Sequence, residues 1–498
     1  MTEGERCMGR VEEILEVKGP MLSGKLASIL EQEYSMSNEA ARQAISRAGT
    51  PVQKLKVFPF SKNQVFCYLE KQYGSQKYRK NLYESLKKEA LAVSVILHAL
   101  ENSNFIMKKN LLPVYSKSPV ENTKGHRKFE NIISDLIQQG IIGEMEEYYF
   151  VSPMYSGEDY NLIYSRSEEQ ITNIIVTDFI SWATKLNMIA YNSSRLFPEE
   201  AIFAHFQWFA TIPTYVTPLF DYKKNRPGFM VVDVLIKSDA TVQDIEFFVE
   251  KIRIIRNFKG LPAFVPVLLL NSVSSEALQY LKENKIIVGI LSNLFDKRYT
   301  QTIMNIYNVL RNATAVIMKE PEKLEELIRE IAKSEGRFNN AMGDLFECMV
   351  GLLFSRLGSR YIEMNKLVPN GKGGKYEIDV LVERDGKMIA IECKAYRGAI
   401  DKEYVEKWLS SRIPAFRSFL GRIYPGRELE FSLWALGGFD KQAEDLLKEH
   451  KSNVKKYQIS YYDKDGIYRY AKERNDNALC EQVKKHFKGY GVDLGKET

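Results

Sequence analysis

The sequence predicts a multidomain α/β protein with an α-β-β-β-α-β core at the C-terminus, a degenerate second copy of that core in the middle, and a helix-rich α+β region at the N-terminus. Three observations carry this. Residues 376–394, YEIDVLVERDGKMIAIECK, read as two alternating strands around Asp385-Gly386, and Asp-Gly in a two-residue loop is the strongest short hairpin signal. Residues 217–295 follow the same order of strand, helix, strand and helix in eroded form. Residues 20–72 show two short amphipathic helices followed by two alternating strands. At about 150 residues per domain the chain holds three or four domains, placed at 1–75, 76–165, 166–315 and 316–498.

Composition narrows the class. The 498 residues are 45% hydrophobic and 27% charged, the usual balance of a soluble globular protein, and no uninterrupted apolar run reaches membrane-spanning length. The first residues are acidic and lack the apolar core of a secretory signal. A cytoplasmic protein without a membrane partner is expected. Cys7, Cys67, Cys348, Cys393 and Cys480 form no CxxC pair, which speaks against a disulfide framework or a zinc ribbon. The five histidines are dispersed, against a His-based metal centre or an HNH-type nuclease. A net charge of +6 is compatible with nucleic acid and does not demand it. With no GxxxxGK[ST] loop in the chain, ATP-driven translocation would need a separate ATPase.

In the N-terminal third, LSGKLASILEQEY is a first helix, and Ser37 is placed to N-cap NEAARQAISRA, which stops at Gly49. VQKLKVFPF and QVFCYLEKQ alternate around Ser61-Lys62-Asn63. This arrangement resembles a winged helix. The resemblance implies that the second helix enters a major groove, with Arg42, Gln43 and Arg47 reaching bases or phosphates and Lys54, Lys56 and Lys62 meeting the backbone. A winged helix that contacts only protein is the competing reading. A second helical unit follows, with helices in residues 78–102 and 126–142, and EMEEYYFVS as a strand in a second wing. Lys124, Arg127 and Lys128 between them suit either phosphate contact or a solvated loop.

The C-terminal hairpin carries the chemistry. With Arg384 facing Lys387, the pairing runs back to set Asp379 opposite Glu392, and strand alternation puts Lys394 on the face of Glu392. Like charges opposed on a sheet are destabilising, so a positive partner is expected. Mg²⁺ or Mn²⁺ fits, being a hard cation that takes one or two carboxylates and leaves its other positions to water and substrate phosphate. The alternative is a salt-bridged edge hairpin in which Lys394 neutralises Glu392. Before the hairpin, residues 337–358 have helical periodicity and place Glu347 in the apolar run LFECMVGLLF. After it come a basic helix from Asp401, the strand ELEFSLWALGG, and a helix with Asp440 as N-cap.

An Asp, twelve residues and then Glu-Cys-Lys resembles the motif of the PD-(D/E)XK nuclease superfamily, with Ile378 where a proline often stands. Gly343, Phe346 and Glu347 are similar to the G…FE helix of Mrr-like restriction nucleases, and the resemblance covers about residues 335–465. It implies Glu347, Asp379, Glu392 and Lys394 as catalytic residues, with Asp379, Glu392 and Glu347 holding the metal. The implied function is a DNA endonuclease, active as a homodimer, in restriction or in defence against phage and plasmids. Repair, recombination or transposition would use the same residues on structured DNA. A catalytically inert DNA-binding regulator is the reading from another class.

The middle copy shows Asp221 and Asp233 twelve apart, and a turn at Arg226-Pro227-Gly228 would oppose them. Leu235 stands where the C-terminal copy has Lys394, with Lys237 farther along the same face, and Asp178 corresponds to Glu347. A degenerate site is therefore expected at Asp178, Asp221 and Asp233, in an inactive structural or DNA-clamping domain. A residual active site and an unrelated α/β domain are the other readings.

Overall fold

The computed structural model describes residues 3–158, 160, 162–189, 193–198, 201–223, 225–332, 342–371, 374–395 and 398–486. The chain divides into two compact units, residues 1–165 with 175–294, and residues 166–174 with 295–498.

The first unit begins with α1 (Glu3–Lys18), β1 (Met21–Leu22), α2 (Ser23–Tyr34), α3 (Asn38–Arg47), β2 (Val52–Leu55) and β3 (Phe66–Leu69). The strands form one sheet in the order β1-β3-β2. Helix α1 was not evident from its acidic sequence. It forms because Val11, Ile14 and Leu15, at helical spacing, bury against Leu26, Leu30, Ala41 and Ile45. Ser37 caps α3 as expected, its hydroxyl accepting from the Ala40 N–H at 3.2 Å. The two later strands are shorter than their alternating segments, because a 3-10 turn at Ser61–Asn63 interrupts the hairpin.

The second module has a different element order, with α4 (Gln76–Glu89), α5 (Leu91–Asn102), β4 (Ile106–Lys108), α6 (Phe129–Gln138), β5 (Ile142–Met145) and β6 (Tyr148–Val151). Its sheet order is β4-β6-β5. Two expectations are corrected here. Residues 78–102 break into two helices at Ala90, and the break lets α5 bury Val93, Val95, Ile96, Leu97 and Leu100, more of its circumference than a single straight surface helix could. The segment read as one strand is a hairpin, turned by Glu146 at φ 45°.

After α7 (Leu162–Lys185) comes a five-stranded sheet of β7 (Arg195–Leu196), β8 (Ala210–Thr214), β9 (Gly228–Leu235), β10 (Phe264–Leu270) and β11 (Ile287–Ile290). Helix α8 (Val242–Arg256) links β9 to β10, and α9 (Ser275–Glu283) links β10 to β11. The strands lie in sequence order, the first two pairings antiparallel and the last two parallel.

In the second unit α10 (Met342–Arg356) precedes β12 (Tyr361–Pro369), β13 (Lys375–Arg384) and β14 (Lys387–Lys394). The start expected for this helix at Arg337 lies outside the described residues. Beyond β14 come α11 (Lys402–Lys407), a π turn at Trp408–Arg412, α12 (Ile413–Ile423), β15 (Glu428–Ala435), α13 (Lys441–Asn453), β16 (Gln458–Asp463) and α14 (Lys464–Lys472). The sheet order is β12-β13-β14-β15-β16, again two antiparallel pairings and then two parallel. The two large sheets thus share order and strand directions. Leu381, Ala390, Phe431 and Leu433 on the C-terminal sheet bury against Trp408, Ile413, Phe416 and Leu447 of the helices, and this packing fixes the strand ends that carry the site.

Candidate active site

The hairpin register follows the Asp385-Gly386 turn: Arg384 pairs with Lys387, Leu381 with Ala390 and Val380 with Ile391. Asp385 and Gly386 both take positive φ, 50° and 79°, as a two-residue turn of this hand requires. The next residues beyond Val380 and Ile391 are Asp379 and Glu392, and both are buried. The Cys393 N–H donates to Asp379 Oδ2 at 2.7 Å. Lys394 Nζ lies 2.8 Å from Glu392 Oε1 and 3.6 Å from Asp379 Oδ2. The amine therefore sits between the two carboxylates.

Sequence reading missed two further groups on Glu392. The Tyr404 hydroxyl donates to its Oε1 at 2.6 Å and Arg412 Nη1 at 2.8 Å. Oε1 thus receives three donors, while Oε2 is buried with no hydrogen-bond partner. A buried carboxylate oxygen left without a donor costs stability and needs a reason. Burial opposes ionisation of Glu392, but Lys394, Arg412 and Tyr404 overcome it and hold the carboxyl below its ordinary range. Burial likewise disfavours the Lys394 cation, yet Asp379 and Glu392 hold its pKa well above that of a free lysine. Lys394 is an ammonium at any physiological pH. Burial, then the surrounding carboxylates, push the Cys393 thiol upward, so it is an inert neutral group.

Glu347 is buried among Leu345, Phe346, Val350 and their neighbours on α10. Asn365 Nδ2 reaches Glu347 Oε2 at 3.4 Å and Glu377 Oε1 at 2.8 Å. Asn365 takes φ 57° and interrupts the β12 pairing between Met364↔Val380 and Lys366↔Ile378, at the slot facing Asp379. Asparagine tolerates that left-handed conformation, and its amide, with Oδ1 buried and unpartnered, links the helix carboxylate to the strand. Neither Asn365 nor Glu377 was singled out from sequence, though the alternation of Glu377 with Asp379 was a signal.

The three-carboxylate ligand set is not gathered in this structure. Among the described residues no group of three His, Cys, Asp or Glu side chains is close enough to hold a metal ion, and Lys394 lies between Asp379 and Glu392. The residues still fit a hard cation. Oxygen donors dominate, one buried carboxylate oxygen lacks a partner, and Mg²⁺ uses only one or two protein carboxylates.

The expected site of the middle domain is corrected. β8 pairs with β9 in the register Ala210↔Val232, so the residue beside Asp233 is Phe209, whose N–H donates to Asp233 Oδ1 at 3.0 Å. Asp221 is exposed in the connecting loop, bridged to Arg226 and capping the Lys223 N–H. The partner of Asp233 is instead Lys251 from α8, at 2.6 Å, with both side chains fully buried. Asp178 lies half-buried on α7. Lys237 Nζ turns to Asp244 Oδ1 at 2.8 Å, where His98 Nε2 and Asn102 Nδ2 of α5 also bind at 2.9 and 3.0 Å. The strand end equivalent to the C-terminal site is thus covered by α5.

In the first module Ala41, Ala44 and Ile45 of α3 are buried, while Arg42, Gln43 and Arg47 are exposed on its other side. Arg42, Lys54, Lys56 and Lys62 line a groove of about 610 Å³ between this helix and the hairpin. Lys54 is committed elsewhere, since its Nζ caps α3 by donating to the Ser46 and Ala48 carbonyls, both at 2.8 Å. Arg127 is also engaged, paired with Asp135.

Residues 338–413 match the Mrr catalytic-domain family, described as restriction endonuclease, which is consistent with a PD-(D/E)XK nuclease domain in the C-terminal part of the chain. A crystal structure of a protein of unknown function is similar at 19% identity over 27% of this chain and 62% of that chain, with a TM-score of 0.19. No curated protein matches the chain. Among the described residues no helix is long and apolar enough to cross a membrane.

Proposed function

We propose that this chain is a Mg²⁺- or Mn²⁺-dependent DNA endonuclease of restriction or anti-invader type. The observation that carries the reading is the division of Glu392: one oxygen is held by three donors, and the other is buried without any. Asp379 and Glu392 would hold the cation, with Glu347 behind them through Asn365. The bound ion supplies Lewis-acid polarisation of the scissile phosphate and a water of lowered pKa. Lys394 would orient the attacking water or stabilise charge developing on the phosphate. Tyr404 and Arg412 orient Glu392. Incubating the purified chain with plasmid, linear duplex, single-stranded DNA and RNA, each with Mg²⁺, Mn²⁺ or EDTA, tests the reading. DNA cutting that EDTA abolishes is expected, and no cutting under any condition refutes it.

Arg412 gives a test that does not depend on turnover. Removing a group that orients a metal-binding carboxylate typically costs about 10–100-fold in affinity. Arg412→Ala should therefore weaken Mn²⁺ binding by about tenfold or more in calorimetry, and Arg412→Lys should recover part of the loss. An unchanged titration would remove Arg412 from the site.

The remaining domains support this function without chemistry of their own. The β1-β3-β2 order with α3 exposed beside a basic groove favours a DNA-binding winged helix, and the second module has the same order. The middle sheet, with Leu235 and Phe209 at the positions of Lys394 and Asp379, reads as a degenerate nuclease copy that serves as scaffold. Arg42→Ala and Arg47→Ala should each weaken duplex binding and lower the salt slope by about one phosphate's worth. Anisotropy in EDTA at several salt concentrations measures this, and identical slopes would oppose the winged-helix reading. One catalytic core hydrolyses one strand per encounter, so a double-strand cut calls for two chains about a two-fold axis or for successive nicks.

A further inference from the structure

The second unit has a polar cavity of about 520 Å³ beside the ends of its parallel strands. Phe439, Tyr461, Tyr462, Asp463, Arg469 and Tyr470 are among its lining residues. Pairing runs from Lys394 to Ala435 and from Ala435 to Asp463, so the cavity begins two strands from the candidate catalytic lysine, about 10 Å at normal strand spacing. Ligands of open α/β sheets bind at this carboxyl edge.

The chemistry of the lining selects the occupant. Its carboxylates are already engaged: Glu444 pairs with Lys448 at 2.6 Å, Glu473 with Arg474 at 3.5 Å, and Asp463 accepts the Gly466 N–H at 2.7 Å. Arg469 is exposed and makes no ion pair among the described residues. The rings form two groups, Phe439 with Tyr461 at 5.6 Å and Tyr462 with Tyr470 at 5.1 Å, and the Arg474 guanidinium lies 3.6 Å from the Tyr470 ring centroid. Half-buried aromatic faces beside a spare guanidinium suit a stacked base and its phosphate. Bases inside a duplex cannot reach such rings.

We propose that this cavity takes an unpaired nucleotide of the substrate strand, about three positions from the scissile phosphate at roughly 3.4 Å per nucleotide. The inference rests on the nuclease reading above and names its substrate class as DNA with an unpaired nucleotide near the cut. That nucleotide comes either from a flap or gap or by flipping out of a duplex.

The test uses the full chain in EDTA with oligonucleotides carrying 2-aminopurine, placed at a single-strand junction or within a perfect duplex. Stacking should quench the junction probe on binding, and Tyr461→Ala should abolish the quench. Arg469→Ala, on the surface and harmless to folding, should weaken junction binding about tenfold, the loss of a contact near 1.4 kcal/mol, and leave perfect-duplex binding unchanged unless the base is flipped. Quenching in the duplex as well identifies flipping; quenching at the junction alone identifies pre-existing single strand. If wild type and both variants bind and cut junction and duplex alike with no quench, the cavity is not a nucleotide site, though the nuclease stands. Failure of the wild type to cut any substrate with Mg²⁺ or Mn²⁺ counts against the nuclease instead, and quenching in EDTA still decides the cavity.

Discussion

Asp379→Ala and Glu392→Gln should abolish DNA cutting, each by at least about 10³-fold, while duplex binding in EDTA should stay within a few fold. The size follows from the several kcal/mol that a bound cation supplies to a phosphoryl transition state, since about 4 kcal/mol corresponds to 10³ in rate. The choice of glutamine is physical. Glutamine keeps an acceptor oxygen for Tyr404, Lys394 and Arg412, all of which point at Oε1, whereas Glu392→Ala would leave these donors facing a gap, and the loss would mix misfolding with chemistry. Asp379 has a lesser structural role through the Cys393 N–H, so alanine is acceptable there. Lys394→Ala should slow cutting by about 10²–10³-fold, the range for losing one group that stabilises transition-state charge. Metal binding should be affected less, because the amine acts on water or on developing charge and not as a ligand. Circular dichroism with a plasmid time course checks all three variants. Full activity in either carboxylate variant would sink the site, leaving Lys394 as an ordinary salt-bridge partner.

Where a local rule decided the structure, the sequence could be read. Asp385-Gly386 permits one hairpin register, and a one-residue slip would turn every core side chain of β14 to the wrong face; hence the predicted pairing of residues 380–391 is the observed one. Ser37 and Asp440 cap their helices for equally local reasons. Asp221 failed because Pro227-Gly228 looks like a hairpin turn, whereas the actual partner of β9 is the ATIPT strand that ends well before it, at Thr214. Tertiary burial outweighed turn chemistry. Arg412 was hidden by the π turn at Trp408–Arg412: one extra residue in a turn shifts the helix phase, so a 3.6-residue wheel puts the guanidinium on the wrong side. Lys251 was legible and missed. It lies on the stripe of Phe248 and Ile255 in α8, all three fully buried, and a lysine there requires a buried partner.

That partner makes the second large effect. Lys251→Met or Asp233→Ala should destabilise the first unit by about 3–5 kcal/mol, the cost of stranding one member of a buried ion pair, with cutting by the folded protein unchanged. The paired variant Asp233→Ala with Lys251→Met should lose less than the two singles together, showing a coupling of about 1–3 kcal/mol. It will not be neutral, because Lys251 Nζ also donates to the Val114 and Gln207 carbonyls at 2.8 and 3.2 Å and lies 4.0 Å from the Trp208 ring centroid. pH separates this account from simple loss of packing. Burial raises the Asp233 carboxyl to about 6 even with Lys251 and the Phe209 N–H opposing it, above the value of a free carboxyl. The folded state therefore takes up a proton, and the contribution of this group to stability is present at low pH and lost as pH rises through about 6. Without Lys251 the carboxyl rises further, and a protonated Asp233 needs no cation. Lys251→Met should accordingly lie closer to wild type at pH 5 than at pH 8 in denaturant titrations. An equal deficit at both values would assign the loss to the stem of the lysine and the carbonyls it serves, and not to the charge pair.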